Sequence, residues 1–267
     1  MKKKLIVLFC ILTVVPVGLI SWLAVATFQS EKAREVRYQK DLAEERLSSL
    51  DLQLQGYFTS LEKELISLVS DVSAPEADTL RRITRREPLV RQLFLIEEEG
   101  GLVFPSEDIP ISQSEKDFLL RTKEIGLTMG LFAKPGESLS SSAETQSANQ
   151  SAPGIAESGW YTFYLGEGLN FIFWKWMEGD DRLVGAECNR MAVMSGVVRT
   201  LPTTEETTPE TGSLRISLAD ENDEPVYLFG SYTPEEADLP LVSLSLSPPL
   251  SSWKLKYYAG PISFSLT

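Results

Sequence analysis

The side chains best suited to holding a small ligand are a set of aromatics in mid-chain and two cations set among β-forming residues. Trp160, Tyr161, Tyr164, Trp174 and Trp176 lie close in sequence, Lys175 sits between two tryptophans, and Arg91 opens an earlier apolar run. Aromatic rings make a partly apolar floor, and a cation beside them is the kind of anchor that fixes a carboxylate. Arg91, Tyr164, Trp174, Lys175 and Trp176 are therefore the candidate ligand-binding residues. Strand alternation puts Trp174 and Trp176 on one face with Ile172, and Phe171, Phe173 and Lys175 on the other. Each aromatic face is open to two readings, core or pocket. Each cation likewise faces either solvent or a ligand. Arg81, Arg82, Arg85 and Arg86 form a denser basic group, which either pairs with nearby carboxylates or holds an anion.

Chemistry beyond binding is sparsely provided. The 267 residues include no histidine. That removes the commonest acid–base group, the commonest metal ligand and any histidine phosphoacceptor. There is no Gly-x-Ser-x-Gly, no Walker-type phosphate loop and no cysteine pair at zinc spacing. Gly166-Glu167-Gly168 lacks the third glycine of a dinucleotide fingerprint and reads as a hairpin turn. Cys10 lies within the apolar N-terminal run, expected to be a membrane segment, and Cys188 lies outside it, so the two are not expected to bridge; Cys188 sits in a strand pattern as a small hydrophobe. Paired carboxylates need no fixed spacing, so the sequence leaves acid-only hydrolysis open. No catalytic residue, metal or cofactor is assigned, and the chain is expected not to be an enzyme.

The elements that must position these residues begin with a long helical pattern. Between Gln29 and Val72 there is no proline and a single glycine. Leu47, Leu50, Leu54, Phe58, Leu61, Leu65, Leu68 and Val72 recur at steps of three and four, an apolar stripe about 3.6 residues in period. A helix over 29–72 would be about 65 Å long. It is expected to act as a stalk near its start and to pack on its own domain from about Leu47 onward. Pro75 ends it and opens a short helix that runs to about Arg86. Val90–Ile96 and Leu102–Pro105 then read as a hairpin, with glycines at the tip supplying a positive φ. A helix follows from Ser114 to about Ile125.

Residues 134–158 are rich in Ser, Ala, Gln, Gly and Pro. They have too little apolar surface to offset their ordering entropy, so a mobile loop is expected. Three strands follow in meander order, Trp160–Leu165, Phe171–Met177 and Arg182–Cys188, giving five antiparallel strands with the earlier hairpin. Asn189 is placed to cap a helix that runs to Leu201. After a Thr/Glu/Pro linker, alternation returns from Leu214, an acidic turn follows at Asp220–Glu224, and Pro225–Gly230 runs back. Two closing strands are carried by Val242, Leu244 and Leu246, then by Trp253, Leu255 and Tyr257. The second hairpin repeats the pattern of the first about 120 residues on.

The N-terminus sets the expected location. Three lysines precede Leu5–Phe28, a run of 24 uncharged residues long enough to cross a bilayer core as a helix. The lysines favour a cytoplasmic N-terminus with the rest exported. The competing reading is a cleaved signal peptide ending at Ala24-Val25-Ala26, although the apolar run is longer than such segments usually are. Beyond the run, 22 basic residues stand against 38 acidic ones, a balance of −16 that repels nucleic acid. The expected partners are a small-molecule ligand, the lipid bilayer through 5–28, and a second copy through the stalk. The expected place is the inner membrane, single-pass, with the bulk extracytoplasmic.

This layout resembles the exported sensor region of bacterial transmembrane receptors, the double Cache or tandem PAS-like type, most closely that of a sensor histidine kinase. The likeness is carried by Leu93–Ile96 with its acidic Gly turn and Leu102–Pro105. It also rests on Leu183–Glu187 running into a helix, and on Pro249-Leu250 through Trp253–Leu255. The resemblance implies an α+β fold in which the N-terminal transmembrane helix continues into a long helix, followed by two PAS/Cache-like modules with antiparallel sheets. The modules would span 73–202 and 203–267, after a tip at 1–4, an anchor at 5–28 and a helix at 29–72. The family's amino-acid-binding signature of Tyr, Arg, Trp and Asp is not found, so no amino-acid ligand is implied. The implied function is ligand-sensing signal input, with the catalytic output lying in a longer parent chain. The alternative is a single-span anchored scaffold or binding protein of the cell envelope.

Overall fold

A computed structural model describes residues 2–70, 77–97, 101–106, 110–125, 157–166, 168–177, 179, 182–202, 214–235 and 238–260; within the first helix, side chains are described continuously from residue 36. The elements run α1 (Lys2–Ser70), α2 (Ala77–Arg86), β1 (Val90–Ile96), β2 (Leu102–Phe104), α3 (Gln113–Ile125), β3 (Ser158–Tyr164), β4 (Leu169–Trp176), β5 (Leu183–Cys188) and α4 (Arg190–Thr200). They continue with β6 (Leu214–Ala219), β7 (Pro225–Phe229), β8 (Val242–Ser245) and β9 (Lys254–Ala259). The fold is α+β with two antiparallel sheets. Residues 134–156 of the expected loop lie outside the described residues, as does Val72. Ser158, assigned to that loop from sequence, is the first residue of β3 instead.

The chain divides into two compact units, Met1–Leu47 and Ser48–Thr267. The first is helical throughout the part of it that is described. Residues 5–28 belong to α1, but nearly all of their side chains lie outside the described set. Among the described residues no helix is long and apolar enough to cross a membrane.

The second unit is built on the leucine stripe. Leu50, Leu54, Phe58, Leu61, Leu65 and Val69 are buried. Each such side chain contributes about 1.5–3 kcal/mol by leaving water. The stripe ends on Val69 rather than Leu68, which is only half-buried. A strict four-residue step from Leu65 follows the helix better than a three-residue one, because each residue turns the face by about 100°.

The first sheet has the strand order β2-β1-β5-β4-β3, and the second β7-β6-β9-β8. Both follow one plan. Each opens with a hairpin, and the first strand of that hairpin pairs with the last strand of its sheet. Both hairpins also carry a register shift beside the turn, at Leu95/Ile96 and at Leu218/Ala219. The expected structural repeat thus extends to topology. The turns at Gly166, Gly168 and Gly179 have positive φ. Gly101 does not, so the first hairpin does not use it in that way, and Gly100 lies outside the described residues.

Candidate functional site

Strand register sorts the first sheet into two faces. Row by row, one face presents Gln92, Glu187, Ile172 and Tyr161, then Phe94, Gly185, Trp174 and Gly159, then Ile96, Leu183 and Trp176. Large and small residues alternate in the middle row for a steric reason. A Cβ at Gly185 would collide with the Phe94 ring, and one at Gly159 would lie 3.0 Å from the Trp174 ring. The two glycines let both rings lie against the sheet. Phe118 of α3 stacks on Phe94 with centroids 5.4 Å apart, and these side chains form one buried cluster with Phe163, Ile172, Trp176 and Leu183.

Two carboxylates hold α3 over this floor. Glu187, only 2% exposed, receives a bidentate fork from Arg121: Nε and Nη2 donate to its two oxygens at 2.9 and 2.7 Å. Arg91 approaches the same carboxylate at 3.7 Å from the exposed side. Glu115, also 2% exposed, accepts from Arg81 Nε at 2.8 Å and from Nη2 at 3.2 Å. It accepts the Ser112 backbone N–H as well, while Ser112 Oγ accepts the Glu115 N–H at 3.3 Å. That reciprocal pair is a capping box at the start of α3. Burial alone would raise the Glu115 carboxyl, but Arg81 and the Ser112 donors outweigh it and hold the group below its ordinary value. Arg81 also donates to the Pro110 carbonyl, which ties α2, α3 and the segment before α3 together.

The opposite face meets α1. Phe58 packs edge-on against Trp160 and beside Phe171. Lys175 donates to Ser70 Oγ at 2.8 Å. Ser70 is the last residue of α1, where a cation is favoured by the helix dipole. On α4, Asn189 caps the helix by accepting the Met191 N–H. Tyr57 of α1 donates to the Val193 carbonyl, and Gly196 leaves the room that Tyr57 fills.

The five sequence-derived candidates do not converge. Trp174 and Trp176 lie in the buried cluster under α3. Arg91 lies beside Glu187, whereas Lys175 points to the other face and meets α1. Tyr164 is at the junction of the two sheets. It accepts from Trp253 Nε1 at 2.7 Å and shares a 3.0 Å hydrogen bond with Ser252.

Sequence reading missed the second half of that junction. Asp51 Oδ1 accepts the Ser247 N–H at 2.9 Å, and Oδ2 accepts from Ser247 Oγ at 2.8 Å and from Gln55 at 2.9 Å. Gln55 also donates to Ser247 Oγ. A turn of the second sheet is thereby latched to α1 about two helical turns before Phe58 engages the first. Asp51 and Ser247 lie 196 residues apart, and no local pattern joins them. The Ser112-x-x-Glu115 spacing, by contrast, was a readable signal.

Among the described residues, the one cysteine with described surroundings is no activated nucleophile. Cys188 is buried, and burial pushes its thiol up to about 12, which leaves it unreactive. Among the described residues no group of three or more His, Cys, Asp or Glu side chains is placed to hold a metal ion. Comparison with protein-family models, curated proteins and solved structures found no match.

Proposed function

We propose that this chain is the extracytoplasmic signal-input region of a membrane-bound signal transducer of the sensor histidine kinase kind. In this reading residues 5–28 anchor the chain in the inner membrane, and a second copy pairs through the stalk part of α1. The observation that carries the proposal is the latching of one helix to both sheets. Within Ser48–Ser70, Asp51 and Gln55 hold the second sheet while Phe58 and Lys175 join the helix to the first. A ligand that favours one arrangement of the sheets over another would act on that helix, which is the requirement for a signal. The buried floor under α3, closed by Arg121–Glu187 and Arg81–Glu115, is the part of the first sheet where such a ligand would act.

The test is a thermal-shift screen of the full chain in lipid nanodiscs. The probes are amino acids, dicarboxylates, nucleosides and divalent metal salts. A ligand at about a hundred times its Kd adds about 2.7 kcal/mol. That corresponds to a rise of about 5–10 °C for a unit of this size. The expected result is such a shift for one chemical class, abolished by Arg121→Ala. A screen with no shift, together with capture of a stable protein partner, would put the anchored scaffold in its place.

A further inference from the structure

One face of the second sheet carries three cations and a buried donor that has no hydrogen-bond partner. Register places Arg215 beside Tyr258, Ser217 beside Lys256, and Ala219 beside Lys254 on that face. Leu228 of β7 and Ser243 and Ser245 of β8 complete it. The opposite face carries the apolar core, with Leu214, Ile216, Leu218, Phe229, Leu255 and Tyr257; on the face with Arg215 the β6 residues Ser217 and Ala219 are also buried, and Leu228 and Ser243 on the flanking strands are exposed. Among the described residues, three cations here meet one carboxylate: Lys256 and Lys254 share Asp223, at 3.0 and 3.7 Å. Those lysines hold the Asp223 carboxyl below its ordinary value, Lys256 foremost. Arg215 Nε is buried with no hydrogen-bond partner. Lys256 is held down on the sheet at 15% exposure, and Ser217 between them is 5% exposed. A buried donor left unpaired costs about 1–3 kcal/mol, a cost that an added acceptor would relieve.

We propose that this face docks an acidic, extended segment of a partner protein. Successive rows on a strand are about 6.6–6.8 Å apart, so Arg215, Lys256 and Lys254 span about 13 Å. An extended segment with carboxylates at alternate positions has the same spacing. Leu228, 46% exposed, and Val226 supply an aliphatic border for the residues between the carboxylates. A protein segment uses both features, whereas a small anion uses neither. The chain carries −13 overall, so a long polyanion is repelled by the remainder of the surface, while a short segment meets only the local field. Docking here requires no ligand at the first sheet and stands apart from the sensor reading.

The experiment is fluorescence anisotropy with the full chain in nanodiscs and the labelled peptide acetyl-Glu-Val-Glu-Ser-Glu-Val-Glu-Ser-amide. The expected result is saturable binding that weakens with salt. It should fall about tenfold or more in Lys254→Glu, and again in Ser243→Glu, both exposed positions, with unchanged melting temperature. Competition by a short oligothymidylate of equal charge, or by inorganic sulfate, should be weak. The proposal is overturned by absence of binding at low salt, or by binding that both variants leave intact. Displacement by sulfate at equal charge would reduce the face to a simple anion site, and preference for the oligothymidylate would point to a phosphate polymer; either result overturns it.

Discussion

At the scale of single residues, the first sheet is decided by where its small and charged side chains fall. Gly185 exists because Phe94 occupies the space a Cβ would take. Gly185→Ala should destabilise the unit by about 1–3 kcal/mol through overpacking. In a Phe94→Leu background the same change should cost less; equal cost in both backgrounds, measured by urea unfolding, would remove the steric account. The arginines around Glu187 are not equivalent. Arg121→Ala leaves a buried carboxylate without its fork and should cost about 3–5 kcal/mol, with lysine a poor substitute. Arg91 is nearly half exposed and 3.7 Å away, so Arg91→Ala should cost about 1 kcal/mol or less. A large loss from Arg91→Ala would show that it is a structural partner and not a cation available to a ligand.

At the scale of elements, α3 and α1 carry the testable burden. The Glu115 carboxyl is held below its ordinary value in the folded chain. Its contribution is therefore fully present above the unfolded value of about 4.3 and is lost as pH falls through the folded value. Melting temperature should drop more steeply below that pH in the native chain than in Glu115→Gln, which is less stable at neutral pH but flatter in acid. Parallel curves would remove the capping box from the account. On α1, Asp51→Ala deletes the acceptor of two Ser247 donors and should cost about 1–3 kcal/mol. Hydrogen exchange should accelerate across the Leu246–Trp253 turn while β4 and β5 stay protected. Uniform acceleration over both sheets would mean that Asp51 supports the whole unit and is not a local latch.

At the scale of the whole molecule, the polar contacts that join the two sheets of Ser48–Thr267 among the described residues include Asp51–Ser247, by way of α1, and Tyr164–Trp253–Ser252, made directly. Tyr164 is half-buried, and burial raises its phenol, so it stays a neutral hydrogen-bonding group at physiological pH. We expect the native unit to melt in one calorimetric transition. The double variant Asp51→Ala/Tyr164→Phe should split it in two, because each sheet keeps its own core. A single transition in that variant would assign the coupling to apolar contact alone.

Local signals in the sequence determined the α+β class, the leucine stripe, the Asn189 cap, both hairpins and the alternation that separates Trp174 and Trp176 from Lys175. Each depends on residues within a few positions of one another, where helical or strand period dictates which side chains share a face. Even the capping box was within reach at that range. Only the tertiary structure decided that Arg121 meets Glu187, that Asp51 meets Ser247, and that the five candidate residues do not converge on one place. Those pairings join residues 66 and 196 positions apart, and they arise from how sheets and helices stack rather than from any spacing along the chain. The cation row on the second sheet belongs to the same class: alternation could place Arg215, Lys254 and Lys256 on one side of their strands, but only strand register brought them onto one face with Asp223.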